Sequence, residues 1–309
     1  MSHLKSQPPS TVVAEWEADE LAERYQQDFE LDIRPYLTED TIRLLRDERL
    51  GVLRFSGCRP GDAAFYEAVA RKKYYYMDDK WEFQAALRAI GSSDTPEDSS
   101  ILEVGCGAGA FLDQCLASGL NGCEGLEISP TAIESCHSRG LRVSDTSLES
   151  LAVQGRRFDV VCAFQVLEHV PDPEQFLRAA SAVLSDDGQL ILSTPNAESF
   201  LRRFRWCLLD LPPHHLSRWD ATAYQRTAEE LGLFISEIRY EPLAKYHRKM
   251  YAASFWDRYP RKTVRRVATK VAAKVAFGLH PLKRTIRGHS IMVRMSRAST
   301  VQQPLVSAA

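Results

Sequence analysis

The stretch ILEVGCGAGAF, residues 101–111, decides the fold. Its apolar first half reads as a strand that ends at Glu103 and Val104, and Gly105, Gly107 and Gly109 then mark a turn into an apolar helix. Glycine at such a turn lets the backbone bend tightly and approach a ligand with no Cβ in the way. Working outward, strand-like runs recur at 100–104, 122–126, 158–164 and 189–193, with helical periodicity at 110–118, 130–138 and 172–184 between neighbours. Alternation of this kind implies parallel strands joined by crossover helices, an α/β doubly wound sheet whose ligand lies outside the carboxyl ends of the strands. A long segment at 194–218, a helix at 220–231 and strands at 233–240 and 290–294 complete the pattern.

The glycines alone do not name the ligand, because Gly105-x-Gly107-x-x-Ala110 also fits a dinucleotide fingerprint. Glu127, in CEGLEIS (123–129), is placed to hold the ribose hydroxyls of either kind of ligand. Glu103 separates them. A strand-end carboxylate two residues before the first glycine repels a pyrophosphate, whereas it favours the ammonium and sulfonium of S-adenosylmethionine. A nicotinamide oxidoreductase is disfavoured on that ground.

From these residues outward the chain resembles the class I S-adenosylmethionine-dependent methyltransferases. The family's E-x-G-x-G-x-G turn is matched by Glu103, Gly105, Gly107 and Gly109, with Cys106 inside it, and the acidic end of its second strand by Glu127, followed by Ile128. DTSLES (145–150) is similar to the adenine-contacting turn and points to Ser147 and Leu148. FDVVCAFQVLEHVPDP (158–173) resembles the fourth strand of the small-molecule branch, with Gln165 at a position that lines the cofactor, and SDDGQLILSTPN (185–196) resembles its fifth. The resemblance runs over about residues 100–240. It implies a Rossmann-like, mostly parallel seven-stranded sheet, S-adenosyl-L-methionine as cofactor, and methylation of a small-molecule or glycan acceptor. The preceding PGDAAFYEAVARKKYYYMDDKWEF (60–83) looks like the preamble of a bacterial subgroup.

Methyl transfer from a sulfonium is an in-line displacement with an activated leaving group, so the protein mainly orients the reactants and excludes water. An alcohol acceptor also benefits from a base, and His215 and His214 in DLPPHHLSRW (210–219) are the catalytic candidates, because the segment after the fifth strand lies over the methyl-donor end of this fold. The competing reading gives these histidines backbone hydrogen bonds or packing against Arg218 and Trp219. His169 reads as shaping the turn after the fourth strand. No metal site is expected, since adjacent histidines point apart on most backbones and no third ligand stands at helical spacing. Tyr74, Tyr75, Tyr76, Lys80 and Trp81 suit either a lid with aromatic faces for the sulfonium or plain packing.

Composition bounds the rest. The chain has 309 residues, 44% hydrophobic and 26% charged, with 39 basic against 41 acidic side chains, which gives no bulk attraction to nucleic acid. Seven cysteines without a C-x-x-C pair argue against a disulfide framework or structural zinc. With no apolar run fit to cross a membrane, a cytoplasmic location is expected. The expected organisation is a disordered tail at 1–15, a helical cap at 16–95 with helices at 21–29, 39–50, 61–70 and 77–90, a methyltransferase core at 96–244, a basic helical insertion at 245–287, a last core strand at 288–296 and a tail at 297–309. The insertion carries thirteen Lys or Arg against Asp257 alone, which suits an anionic acceptor or an anionic membrane surface, or else a helix docked with its basic face in solvent. Oligomeric state is not legible. The alternative to an enzyme is a non-catalytic cofactor- or partner-binding module of the same fold.

Overall fold

The computed structural model describes residues 9–71, 80–91, 99–255 and 286–297. The N-terminal unit comprises β1 (Ser10–Glu17), α1 (Ala18–Phe29), β2 (Thr41–Asp47), β3 (Leu53–Ser56), α2 (Ala63–Ala70) and α3 (Trp81–Gly91). The core follows as β4 (Ile101–Val104), α4 (Ala110–Ala117), β5 (Cys123–Leu126), α5 (Pro130–Ser138), β6 (Val143–Ser144), α6 (Leu148–Val153), β7 (Phe158–Phe164), α7 (Pro173–Ala182) and β8 (Leu184–Pro195). After two short 3-10 turns come β9 (Ser217–Arg218), α8 (Ala221–Glu230), β10 (Leu233–Pro242), α9 (Arg248–Ser254) and β11 (Arg287–Arg297).

The larger sheet has seven strands in the order β10-β11-β8-β7-β4-β5-β6. Every pair from β8 to β6 is parallel, and β11 runs antiparallel to both its neighbours, so it alone reverses direction. Both faces are covered, which is why β7 reads as a continuous apolar run rather than an alternating one. Val161 and Ala163 face one core with Leu102, Leu190 and Leu192, while Val160, Cys162 and Phe164 face the other with Ile101, Phe111 and Ile191. Helices start where a side chain satisfies their orphan N–H groups: Ser129 accepts from Ala132, Ser147 from Ser150, Asp172 from Gln175 and Asp220 from Ala223. The first three of these caps sit at the carboxyl ends of strands and draw the connecting loops to one edge of the sheet, where the site is built.

The N-terminal unit differs from the expected helical cap. It is a mixed unit, with helices packed on an antiparallel sheet of order β1-β2-β3-β9. Residues 10–17 form a strand where a disordered tail was expected to reach residue 15, and 41–47 form a strand where a helix at 39–50 was expected. Ile42 and Leu44 are buried on either side of the half-exposed Arg43, a period of two, but with Leu45 and Leu50 they also satisfy a helical period over so short a span. Pairing with β1 on one side and β3 on the other decides the matter, and neither partner is local to the motif. The unit is completed by β9, together with Leu208 and Leu211, which pack with Trp16, Leu21, Tyr25 and Phe65. The chain therefore leaves the core after β8, closes the cap and returns at α8.

Most of the expected basic helix, 256–285, and Tyr74, Tyr75 and Tyr76 of the expected lid lie outside the described residues. Among the described residues no helix is long and apolar enough to cross a membrane.

Candidate active site

A cavity of about 1550 Å³ opens at the carboxyl ends of β4, β5, β7 and β8, between the core and the cap. It exceeds the 300–1,000 Å³ typical of a single-ligand pocket, so it has room for a cofactor and an acceptor side by side.

The glycine turn forms one wall. Gly105 and Gly109 adopt φ of +71° and +76°, a left-handed conformation that side chains with a Cβ rarely take. Space is closed as well: a Cβ on Gly105 would stand 2.6 Å from a Val166 methyl, and one on Gly109 2.5 Å from Leu141. Gly105 and Gly107 line the cavity, whereas Cys106 and Gly109 stand behind them and hold the turn against β5 and α5.

Glu127 ties the turn to the second core strand. One carboxylate oxygen accepts from the Gly107 N–H at 2.7 Å, and the other from Ile128 and Ser129 N–H at 2.8 and 2.9 Å. Three acceptor sites are used of the roughly four a carboxylate offers, so it can position the turn and still take a ligand hydroxyl. Beside it Ile128 is 78% exposed on the cavity wall, an apolar side chain placed for a flat heterocycle to cover. Ser147 and Leu148 line the same side, where Ser147 is also the cap of α6. Gln165 closes the end of β7 with φ +58°, unusual for a residue with a side chain, and is held by its N–H to Ser193 O at 2.8 Å. Strain of that kind persists where the surroundings over-determine it, and Gln165 lines the cavity.

Glu103 lies deeper than its motif suggests. It is 2% exposed, behind the cavity wall, and among the described residues its Oε2 has no hydrogen-bond partner. Burial pushes its carboxyl well above the usual carboxylate range, an effect that the nearby Lys80 ammonium opposes. An orphaned buried carboxylate is costly unless a cation approaches it. The residues present thus fit S-adenosylmethionine: a turn open to close approach, a partly engaged Glu127, an exposed aliphatic at Ile128 and a buried acid waiting for positive charge.

At the other end of the cavity the structure gathers what the sequence left scattered. His214 and His215 do not point apart; their rings stack at 4.6 Å with 23° between planes. His169 joins them, its ring edge-on at 4.7 Å to His214 and 4.8 Å to His215, and one ring nitrogen of each of the three lies within 4.8 Å of the others. No third histidine stands at helical spacing, as the sequence indicated; the third residue arrives from the β7–α7 turn instead. His215 Nδ1 is 3.2 Å from Asp210 Oδ1, and Asp210 Oδ2 is 2.9 Å from Arg218. Burial holds His215 and His214 neutral, well below the ordinary imidazole range, so the contact with Asp210 is a hydrogen bond rather than an ion pair. Tyr66, from α2, brings its hydroxyl to 3.3 Å from His169 Nδ1. Glu168, Asp210, Tyr66 and Glu82 all stand in stretches quoted above, but nothing in the sequence singles them out: Glu168 reads as part of a turn and the others as flanking residues.

A doubly wound sheet with a glycine turn at one strand end and a carboxylate at the next is an architecture that binds a nucleoside cofactor outside the carboxyl ends of its strands. Residues 70–237 match the methyltransferase-domain family, and the chain belongs to it. The chain is 32% identical over 163 residues, 48% of its length, to a ubiquinone biosynthesis O-methyltransferase of Ralstonia nicotianae, covering 67% of that protein. A protein of the same description from Coxiella burnetii is 28% identical over 116 residues, 36% of this chain and 49% of that one. The chain thus spans about half the length of the first curated relatives that it matches. Among solved structures, a chain from the complex between the Haloferax volcanii Trm112 methyltransferase activator and a methyltransferase shares the fold at TM-score 0.52 and 15% identity, over 77% of this chain and 98% of that one.

Proposed function

We propose that the protein transfers a methyl group from S-adenosyl-L-methionine to an oxygen of a small-molecule or saccharide acceptor. The observation that carries this reading is the single cavity that joins the Gly105–Gly107 turn, Glu127 and Gln165 at one end to His169, His214 and His215 at the other. The relatives named as O-methyltransferases support oxygen as the acceptor atom.

The cofactor supplies an activated methyl group, whose carbon–sulfur bond breaks as the carbon–oxygen bond forms and the electron pair returns to sulfur. The chain's own residues do the rest. Gly105, Gly107, Glu127, Ile128, Ser147, Leu148 and Gln165 seat the donor, with Glu103 beneath. His215 takes the hydroxyl proton in this reading, its Nδ1–H held by Asp210 so that Nε2 carries the lone pair, and His214 is the second candidate. On the cavity wall carboxylates outnumber the cationic Arg71 and Lys80 among the described residues, which favours a neutral hydroxyl over an anionic acceptor. Contact of 245–287 with a membrane surface stays a separate proposal, since most of that segment lies outside the described residues.

Calorimetric titration with S-adenosylhomocysteine, S-adenosylmethionine and NAD, repeated on Glu127→Ala, tests the reading. Saturable binding of the first two and not NAD, weakened by the substitution, supports it. Cofactor binding with no methylation of any hydroxyl in an acceptor screen would leave the non-catalytic module; NAD binding alone would overturn both.

A further inference from the structure

The histidine cluster is built more elaborately than proton transfer needs. His169 Nδ1 lies 2.6 Å from the His214 carbonyl, His214 Nδ1 2.8 Å from the Leu209 carbonyl, and His215 Nδ1 3.2 Å from Asp210. A carbonyl can only accept, so His169 and His214 carry their proton on Nδ1, and the ion-paired Asp210 sets the same tautomer on His215. In all three rings Nε2 is then the lone-pair nitrogen, and each ring is oriented through its other nitrogen by an oxygen. That is the outer-shell arrangement of metal-bound imidazoles.

Glu168 supplies a second and independent observation. It is 1% exposed, its Oε1 lies 4.0 Å from His169 Nε2, and among the described residues neither of its carboxyl oxygens has a hydrogen-bond partner. Three imidazoles with converging nitrogens and a buried carboxyl group on one cavity wall form a donor set suited to a cation.

We propose that His169, His214 and His215 bind a divalent transition-metal ion of the zinc class, with Glu168 beside His169 and the fourth coordination position open to the acceptor hydroxyl. Imidazole-rich donors select zinc, cobalt or iron over magnesium or calcium, which take oxygen ligands. Two nitrogens on one tetrahedral zinc stand roughly 3.3 Å apart at the usual bond length, so nitrogens now within 4.8 Å of one another close by up to about 1.5 Å on binding. What the ion does rests on the proposed methyl transfer: it lowers the pKa of the bound hydroxyl, a task otherwise given to His215. That the ion binds does not rest on it.

The test uses full-length protein without a polyhistidine tag, dialysed against EDTA and titrated with CoCl2 by visible absorption and with ZnCl2 by calorimetry. One saturable equivalent of cobalt with ligand-field bands, displaced by zinc and weakened at least tenfold in both His169→Gln and His215→Gln, is the expected result. No saturable uptake by the unsubstituted protein, or uptake unchanged in both variants, overturns the proposal, and the unsubstituted titration decides alone if a variant fails to fold. The same samples are titrated with S-adenosylhomocysteine. Binding of that ligand without metal uptake removes the ion and leaves methyl transfer standing, whereas metal uptake without it does the reverse.

Discussion

Asp210 bridges His215 and Arg218 at the histidine end of the cavity: one oxygen stands 3.2 Å from His215 Nδ1 and the other 2.9 Å from Arg218, whose guanidinium also reaches the Asp210 carbonyl. Both side chains of the ion pair are largely buried, so neither charge has water to fall back on. Asp210→Ala leaves the Arg218 cation uncompensated and is expected to cost about 3–5 kcal/mol. Asp210→Asn keeps one acceptor oxygen and is expected to cost less. Urea denaturation of the three proteins measures the order.

If His215 takes the hydroxyl proton, His215→Ala is expected to lower kcat by about 10²-fold, the lower end of general-base contributions, while S-adenosylhomocysteine affinity stays unchanged. Steady-state kinetics with the acceptor from the screen, beside calorimetry, separates the two. Turnover unchanged in both His214→Ala and His215→Ala would remove the pair from the chemistry.

The glycine turn has no room to spare. Gly107→Arg is expected to abolish S-adenosylhomocysteine binding with the fold retained, because it places a long side chain on the cavity wall. Gly109→Ala is expected instead to destabilise by about 1–3 kcal/mol, since its Cβ meets Leu141 and the Cys136 sulfur in a left-handed backbone. Binding and melting measured on both variants distinguish a lining glycine from a packing one.

Glu241, behind the cavity-lining His289 and Ser290, predicts a pH effect on stability. Its Oε2 accepts from the His289 and Ser290 N–H groups at 2.9 and 3.1 Å and anchors the start of β11, yet burial raises its carboxyl to about 6. A carboxyl whose folded pKa lies above its unfolded value binds more protons when folded, so its contribution is fully present below about 4.5 and is lost as pH rises through about 6. Glu241→Gln is expected to flatten stability over that window. Denaturation curves for both proteins between pH 4 and 7 give the difference, and parallel curves would reject the assignment.

The glycine turn, the order of core strands and helices, and the residues that line the donor end were legible because they are local. A strand end, a φ-permissive turn and a helix cap lie within ten residues of one another, and apolar periodicity reports burial directly at β7 and β8. Strands as short as β6, and β9, whose only role is to pair with β3, carried no such signal.

What sequence alone determined, then, is the chemistry that a contiguous stretch can state: Glu103, Gly105, Gly107 and Gly109 at one strand end and Glu127 at the next. Tertiary structure decided whatever depends on segments distant in the chain. It turned 41–47 into a strand by flanking it with 10–17 and 53–56, and it brought His169 and Glu168 against His214 and His215 across about 45 residues of chain. Adjacent histidines seem from the sequence to diverge because side-chain direction follows backbone conformation; here the loop conformation, held by cap contacts from Tyr66, Phe65 and Tyr25, stacks them, and no local pattern records that.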